Sequence, residues 1–189
     1  TVSDCEHNSG SSNLDDDFAA DYDSVTVSGI RRTAGHVVSV ACTAHGSSFL
    51  QFALKKLPEE AFGMVHDEVI KFVPKLLLDK HACYVVKAML ETMEKAEALK
   101  LLEPVGTNEA LLIALCTKDL HSRRMVQFIL EFCGAERCQY FYHLIMRHSK
   151  LVACTQQGCI TMQRILDHFG AQEKESYFAT VRANFMEYI

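Results

Sequence analysis

The chain has 189 residues, 49% hydrophobic and 23% charged, with 9 Gly, 3 Pro and no Trp, a composition that excludes collagen-like, mucin-like and wholly disordered proteins. No apolar run approaches the roughly 20 residues that span a bilayer, and the first ten residues lack the basic and apolar regions of a signal peptide, so the expected location is the cytoplasm, with the nucleus or nucleolus as alternatives. Eight cysteines are scattered without a CxxC pair, so neither a disulfide framework nor a zinc centre is expected; Cys133, Cys138 and His143, or Cys154, Cys159 and His168, lack the tight ligand spacing of structural zinc.

The formal charge of −5 is unevenly distributed. Residues 1–28 carry seven acids (Asp4, Glu6, Asp15, Asp16, Asp17, Asp21, Asp23) and no Lys or Arg, leaving 17 acids against 19 bases in the remainder. Polar and poor in apolar residues, the stretch 1–34 is expected to be a disordered acidic flank, either a solvated tail or an autoinhibitory mimic of a phosphate backbone.

From His36 onward apolar residues recur at spacings of three and four, which predicts an all-α fold. Pro58 followed by Glu59 and Glu60 marks a helix start, because proline suits the first helical position and acids complement the positive end of the helix dipole. Thr107, Asn108, Glu109 and Ala110 form a second capped start, after an expected break from Pro104 to Gly106.

The helical part repeats itself. HGSSFLQFAL (45–54), HACYVVKAML (81–90), HSRRMVQFIL (121–130) and QGCITMQRIL (157–166) align without gaps, and each ends in leucine. Gly46, Ala82, Ser122 and Gly158 share the second place, where a tightly packed helix start would exclude bulk. An apolar stripe runs along each segment: Phe49, Leu50, Ala53, Leu54; Val85, Val86, Met89, Leu90; Met125, Val126, Ile129, Leu130; Met162, Ile165, Leu166. Off that stripe lie Ser47, Ser48 and Gln51; Cys83, Tyr84 and Lys87; Arg123, Arg124 and Gln127; and Cys159, Ile160 and Gln163. The outer members of each triad lie one helical turn, about 6 Å, apart on one face.

These four segments, together with GHVVSVACTAHGSSFLQFALKKL (35–57), LLLDKHACYVVKAMLE (76–91) and CTQQGCITMQRILDHFG (154–170), resemble the Pumilio (PUF) family of RNA-binding repeat proteins over residues 35–189. The resemblance implies a right-handed α-solenoid of three-helix repeats of about 36 residues, here at about 35–71, 72–107, 108–147 and 148–183, followed by the start of a further repeat. Since arrays of the family are longer, the chain reads as a partial array. The second helix of each repeat would line a concave surface that carries single-stranded RNA, one base per repeat. Ser47, Gln51, Cys83, Lys87, Arg123, Gln127, Cys159 and Gln163 would then contact base edges, and Ser48, Tyr84, Arg124 and Ile160 would stack on bases, with Tyr84 and Arg124 sandwiching one of them.

Ser47 with Gln51 and Cys159 with Gln163 look like adenine-reading pairs, since an amide offers a donor and an acceptor together. Departures from the family pattern are Lys87, which has donors only, the bulky Arg123, and Ser48 and Ile160, which lack a planar group.

Other readings of these residues stand beside this one. The triads are alternatively ordinary solvent-facing residues, and Cys83 and Cys159 small buried hydrophobes. Cys42 and Cys154 are expected to pack in the core, and His45, His81 and His121 to pack at interfaces or cap helices.

No glycine-rich phosphate loop, nucleophile elbow or HExxH is present, so neither catalysis nor a cofactor is expected. The expected function is sequence-selective binding of single-stranded RNA, in the manner of regulators acting on mRNA 3′ untranslated regions, with protein co-regulators as further partners and no membrane or small-molecule substrate. The alternative is a diverged scaffold, either a protein-interaction module or a ribosome-assembly factor without base-specific readout.

Overall fold

The computed structural model describes residues 25–183, and these form helices and connecting turns without a strand. The acidic segment ahead of residue 25 and the expected opening of a further repeat at 184–189 lie outside the described residues. The helices form two compact units that divide after Met93.

In the first unit, α1 (Val27–Arg32) precedes α2 (Val37–Ala41), α3 (Ala44–Lys56), α4 (Pro58–Val69), α5 (Val73–Leu76) and α6 (Ala82–Thr92), with a 3₁₀ turn at Ile70–Phe72. The second unit holds α7 (Lys95–Thr107), α8 (Glu109–Thr117), α9 (Leu120–Cys133), a 3₁₀ turn at Ala135–Cys138, α10 (Gln139–Ala153), α11 (Gln156–His168) and α12 (Ala171–Ala183). His148, at φ −121° and ψ 26°, breaks α10 into two helices. Glu109 Oε1 sits at that kink, 3.2 Å from Arg147 Nη1 and 2.9 Å from His148 Nε2. With the kink as a boundary, a group of three helices recurs four times, over 37–69, 73–107, 109–147 and 149–183.

Two boundaries differ from the sequence expectation. Residues 25–34, assigned to a disordered flank, contain α1: Thr26 Oγ1 accepts from Gly29 N–H at 3.2 Å, and Ile30 and Thr33 are fully buried. What orders them is packing of α1 on α4 and the absence of a Cβ on Gly29, where one would come within 3.3 Å of the Phe49 ring. The Glu68 carboxylate of α4 then accepts the backbone N–H groups of Gly35 at 2.6 Å and Val37 at 3.0 Å, fixing the start of α2.

The second difference is that Pro104 to Gly106 is no break, since α7 runs through both residues to Thr107. Pro104 is exposed, so the carbonyl it leaves unpaired one turn back can reach water. Gly106 is needed there for a different reason: a Cβ would meet the Tyr140 ring at 2.7 Å. Asn108 caps α8 as expected, its side chain accepting from Leu111 N–H, and Pro58 occupies the first turn of α4.

Of the residues in the apolar stripes of α3, α6, α9 and α11, all are buried except Phe49, which is half-buried under α1. A fully buried Leu, Ile, Val or Met contributes about 1.5–3 kcal/mol, so these stripes carry much of the stability of each unit. Within the first unit α3 packs on α6, and within the second α9 packs on α11, so second helices of neighbouring repeats lie against each other.

Each of these long helices starts almost in contact with the short helix before it. A Cβ on Gly46 would lie 2.2 Å from the Val40 carbonyl oxygen, and one on Gly158 would lie 2.0 Å from that of Val152. Gly46→Ala and Gly158→Ala are therefore expected to destabilise their units by about 1–3 kcal/mol despite alanine's better helix propensity, because backbone must move. Ser122, at the same place in the third repeat, has a buried Oγ without a hydrogen-bond partner. Ser122→Ala is expected to be neutral or stabilising by up to about 1 kcal/mol. Urea unfolding of the three variants measures both signs.

Candidate nucleic-acid interface

The side chains of the four triads are aimed by the first turns of α3, α6, α9 and α11, and those turns are fixed by caps. Thr43 Oγ1 accepts from Gly46 N–H at 3.1 Å, and Thr155 Oγ1 accepts from Gly158 N–H at 3.0 Å. Asp119 Oδ1 accepts from Ser122 N–H at 2.8 Å. Asp79 Oδ1 accepts from both His81 and Ala82 N–H, at 2.9 and 2.8 Å. These four residues stand two places before the aligned segments, in the same register, and Thr/Asp at a helix start is the signal that reveals them. They take the capping role expected of His45, His81 and His121, whose place falls inside or at the edge of the capped turn.

Of the second triad members, Arg124 is exposed, and Ser48, Tyr84 and Ile160 are half-buried. Of the third members, Gln163 is exposed and Gln51, Lys87 and Gln127 are half-buried. The first members divide. Cys159 is exposed and Arg123 half-buried, but Ser47 and Cys83, also expected at a base edge, are buried. Ser47 lies where α3 meets the start of α6, and its Oγ donates to the His81 carbonyl at 2.8 Å. Cys83 is a fully buried small side chain in α6.

Three of the four third members are engaged on their own helices. Gln51 Nε2 donates to Ser47 O at 3.2 Å and to Ser47 Oγ at 3.0 Å, which holds the amide along the helix. Lys87 pairs with Glu91 across one turn, Nζ to Oε1 3.8 Å, and Gln127 Nε2 donates to Glu131 Oε1 at 2.8 Å. Glu91 and Glu131 are at equivalent places, so the second and third repeats share a carboxylate one turn beyond the third triad position. Surface pairs of this kind are worth about 0.3–0.5 kcal/mol, small enough for a ligand to displace.

The cysteines flanking the sites behave differently from the expectation of core packing. Cys42 and Cys154 are the C-cap residues of α2 and α10 and are exposed, because each short helix ends there and turns into the next capped start. Cys116 in α8 is the buried one, and desolvation pushes its thiol up to about 12. Its carbonyl accepts from Thr161 Oγ1 of α11 at 3.1 Å, tying the fourth repeat's long helix to the third repeat.

Among known proteins, the Pumilio-family RNA-binding repeat model matches residues 36–70, 73–103, 113–146 and 151–179. A Pumilio domain-containing protein of Schizosaccharomyces pombe is 19% identical over 150 residues, covering 79% of this chain and 19% of that protein. Pumilio homolog 1 of Xenopus laevis is 27% identical over 103 residues, covering 54% of this chain and 8% of that protein. The chain thus spans less than a fifth of the length of these curated relatives.

Among solved structures, the Puf3 RNA-binding domain bound to a Cox17 RNA 3′ UTR recognition sequence superposes with a TM-score of 0.69 at 16% identity, over 93% of this chain and 50% of that one. PUF-8 in complex with PBE-RNA gives 0.68 at 19% identity, over 94% and 52%. Both likenesses establish an all-α repeat fold.

Ser47 is at once a bond to the next repeat and the support of Gln51. Ser47→Ala is expected to cost about 0.5–1.5 kcal/mol, since it removes the bond to the His81 carbonyl, which keeps the Tyr84 N–H. Thr43→Ala and Asp119→Ala each remove a cap and are expected to cost about 0.5–2 kcal/mol. Thermal unfolding followed by circular dichroism checks all three.

Proposed function

The chain belongs to the Pumilio family of RNA-binding repeat proteins, and on that premise we propose that it binds single-stranded RNA along α3, α6, α9 and α11, about one base per repeat. The observation that carries this reading is the recurrence of one polar side chain per repeat, Gln51, Lys87, Gln127 and Gln163, at the same place on four helices whose starts are each held by a Thr or Asp side chain in the same register. A glutamine amide can hold a base edge with a donor and an acceptor, so the first, third and fourth repeats are suited to selective reading. Tyr84 and Arg124 supply planes on which bases stack, worth about 1–3 kcal/mol per base. The site residues in this reading are Gln51, Lys87, Gln127, Cys159 and Gln163 for base edges, with Tyr84 and Arg124 for stacking. That a protein of similar fold is bound to a 3′ UTR recognition sequence supports a role on messenger RNA, and the proposal extends to a cytoplasmic location and protein co-regulators.

A second reading rests on Glu91 and Glu131, which engage Lys87 and Gln127 within their own helices. Two repeats whose third triad member is held by a carboxylate of its own helix suit a scaffold that holds structured RNA or protein without base readout.

Random-pool selection with the full chain gives the preferred RNA and separates the two readings, since a scaffold enriches no motif. With that RNA, Tyr84→Ala and Arg124→Ala are each expected to weaken binding by about 1–3 kcal/mol at every sequence tested. Changing Cys159→Ser together with Gln163→Glu is expected to move preference at one base from adenine to guanine by about 1–3 kcal/mol. A guanine Watson–Crick edge offers two donors, which a carboxylate accepts and an amide does not. Unaltered preference in the double variant would remove base reading from the fourth repeat.

A further inference from the structure

The second unit contains a cleft of about 530 Å³ bordered by Leu99, Leu102, Gly106, Cys133, Arg137 and Tyr140. Two thiols meet at its wall. Cys133 is the last residue of α9 and is half-buried, while Cys138 ends the 3₁₀ turn and is fully buried. Gly134, at φ +82°, lets the chain reverse between them, a backbone conformation in which a side chain would be strained. The reversal sets the Cys138 Sγ 3.7 Å from the carbonyl oxygen of Ile129, one turn before Cys133 on α9, and 3.8 Å from Tyr140 Oη.

The charges around the pair distinguish the two sulfurs. Lys95 Nζ bonds to the Phe132 carbonyl and lies 3.5 Å from the Phe132 ring centroid, which sets a cation beside Cys133, and Arg137 is a second. The Cys138 hydrogen bond holds the Cys133 thiol below its ordinary range against the opposing effect of burial, and the two cations add to the lowering. The Cys138 thiol is raised, by its bond to Cys133 first and burial second. Burial chiefly raises the Tyr140 phenol, which stays protonated.

We propose that Cys133 is an oxidation site for hydrogen peroxide and that Cys138 is its resolving partner, the two forming a disulfide on the cleft wall. In the first step the Cys133 thiolate attacks one peroxide oxygen, the O–O bond breaks, and the other oxygen leaves as hydroxide, so that peroxide is reduced and Cys133 becomes a sulfenic acid. In the second, the Cys138 thiol gives up its proton and its sulfur attacks the Cys133 sulfur. The S–O bond breaks, and the departing hydroxide takes the proton to leave as water. Cys133 reaches solvent through the cleft, and Cys138 Sγ lies beside the last turn of the helix that Cys133 ends, so closing the bond calls for adjustment of the short segment between them. This site is independent of whether the chain reads RNA bases.

Trypsin cleaves after Arg124, Arg137 and Arg147, so the two cysteines fall on separate peptides, 125–137 and 138–147. The full chain, titrated with hydrogen peroxide, alkylated and digested without reductant, is expected to yield these two peptides joined, lighter by two hydrogens than their sum. Cys133 is expected to lose its free thiol several times faster than exposed Cys154 and Cys159. In Cys138→Ser the sulfenic acid persists, and dimedone is expected to label Cys133. Separate peptides at a dose that oxidises Cys154 and Cys159, or loss of the Cys133 thiol no faster than theirs, would overturn the proposal, and the wild-type digest decides it even if the variant fails to fold.

Discussion

The arrangement of this chain depends on four helix caps. Thr43, Asp79, Asp119 and Thr155 each accept backbone N–H groups in the first turn of a long helix, and so fix where that helix begins and how it is rotated. Once the rotation is set, the apolar stripe faces inward and the triads fall where they do. At Thr43 and Thr155 the cap is combined with a helix start so close to the preceding carbonyl that the third residue after the cap must be glycine. The caps at Asp79 and Asp119 are followed by Ala82 and Ser122, so a carboxylate cap goes with a slightly larger residue. Two solutions to one packing problem thus occur, one in the first and fourth repeats and the other in the second and third.

The caps also bear on function. A reading surface needs side chains at fixed spacing, and a helix whose first turn frays cannot hold them. Gln51 shows how far this can go, since its amide is held by the backbone carbonyl and the hydroxyl of Ser47, and Ser47 is in turn anchored on the next repeat. In the second and third repeats the corresponding side chains lean on Glu91 and Glu131 instead. Negative charge there would oppose a phosphate backbone approaching closely, while remaining available to a base donor.

Much of this was legible in the sequence, and the reasons for the rest are physical. The helical period, the four aligned segments and the buried stripes are properties of single helices, and a linear reading captures them. Burial of Ser47 was hidden because it arises from contact with a different repeat: a residue that lies off the stripe of its own helix can still be covered by the start of the next. Cys159 has the same place and is exposed, and no second helix of a following repeat is present among the described residues. Pro104 and Gly106 were misleading because both are ordinarily breakers. Here the proline faces water and the glycine makes room for Tyr140, so neither ends the helix. The caps were present in the sequence as Thr, Asp, Asp, Thr in register, but lay two places outside the segments that align best.

The central claim is that the long second helices form the surface that meets RNA. Photocrosslinking of the full chain to single-stranded RNA substituted with 4-thiouridine, followed by mapping of the modified peptides, addresses it directly. Crosslinks are expected to concentrate in Ala44–Lys56, Ala82–Thr92, Leu120–Cys133 and Gln156–His168. Crosslinks concentrated instead in Pro58–Val69, Lys95–Thr107 and Ala171–Ala183 would contradict it, because those helices carry none of the triads.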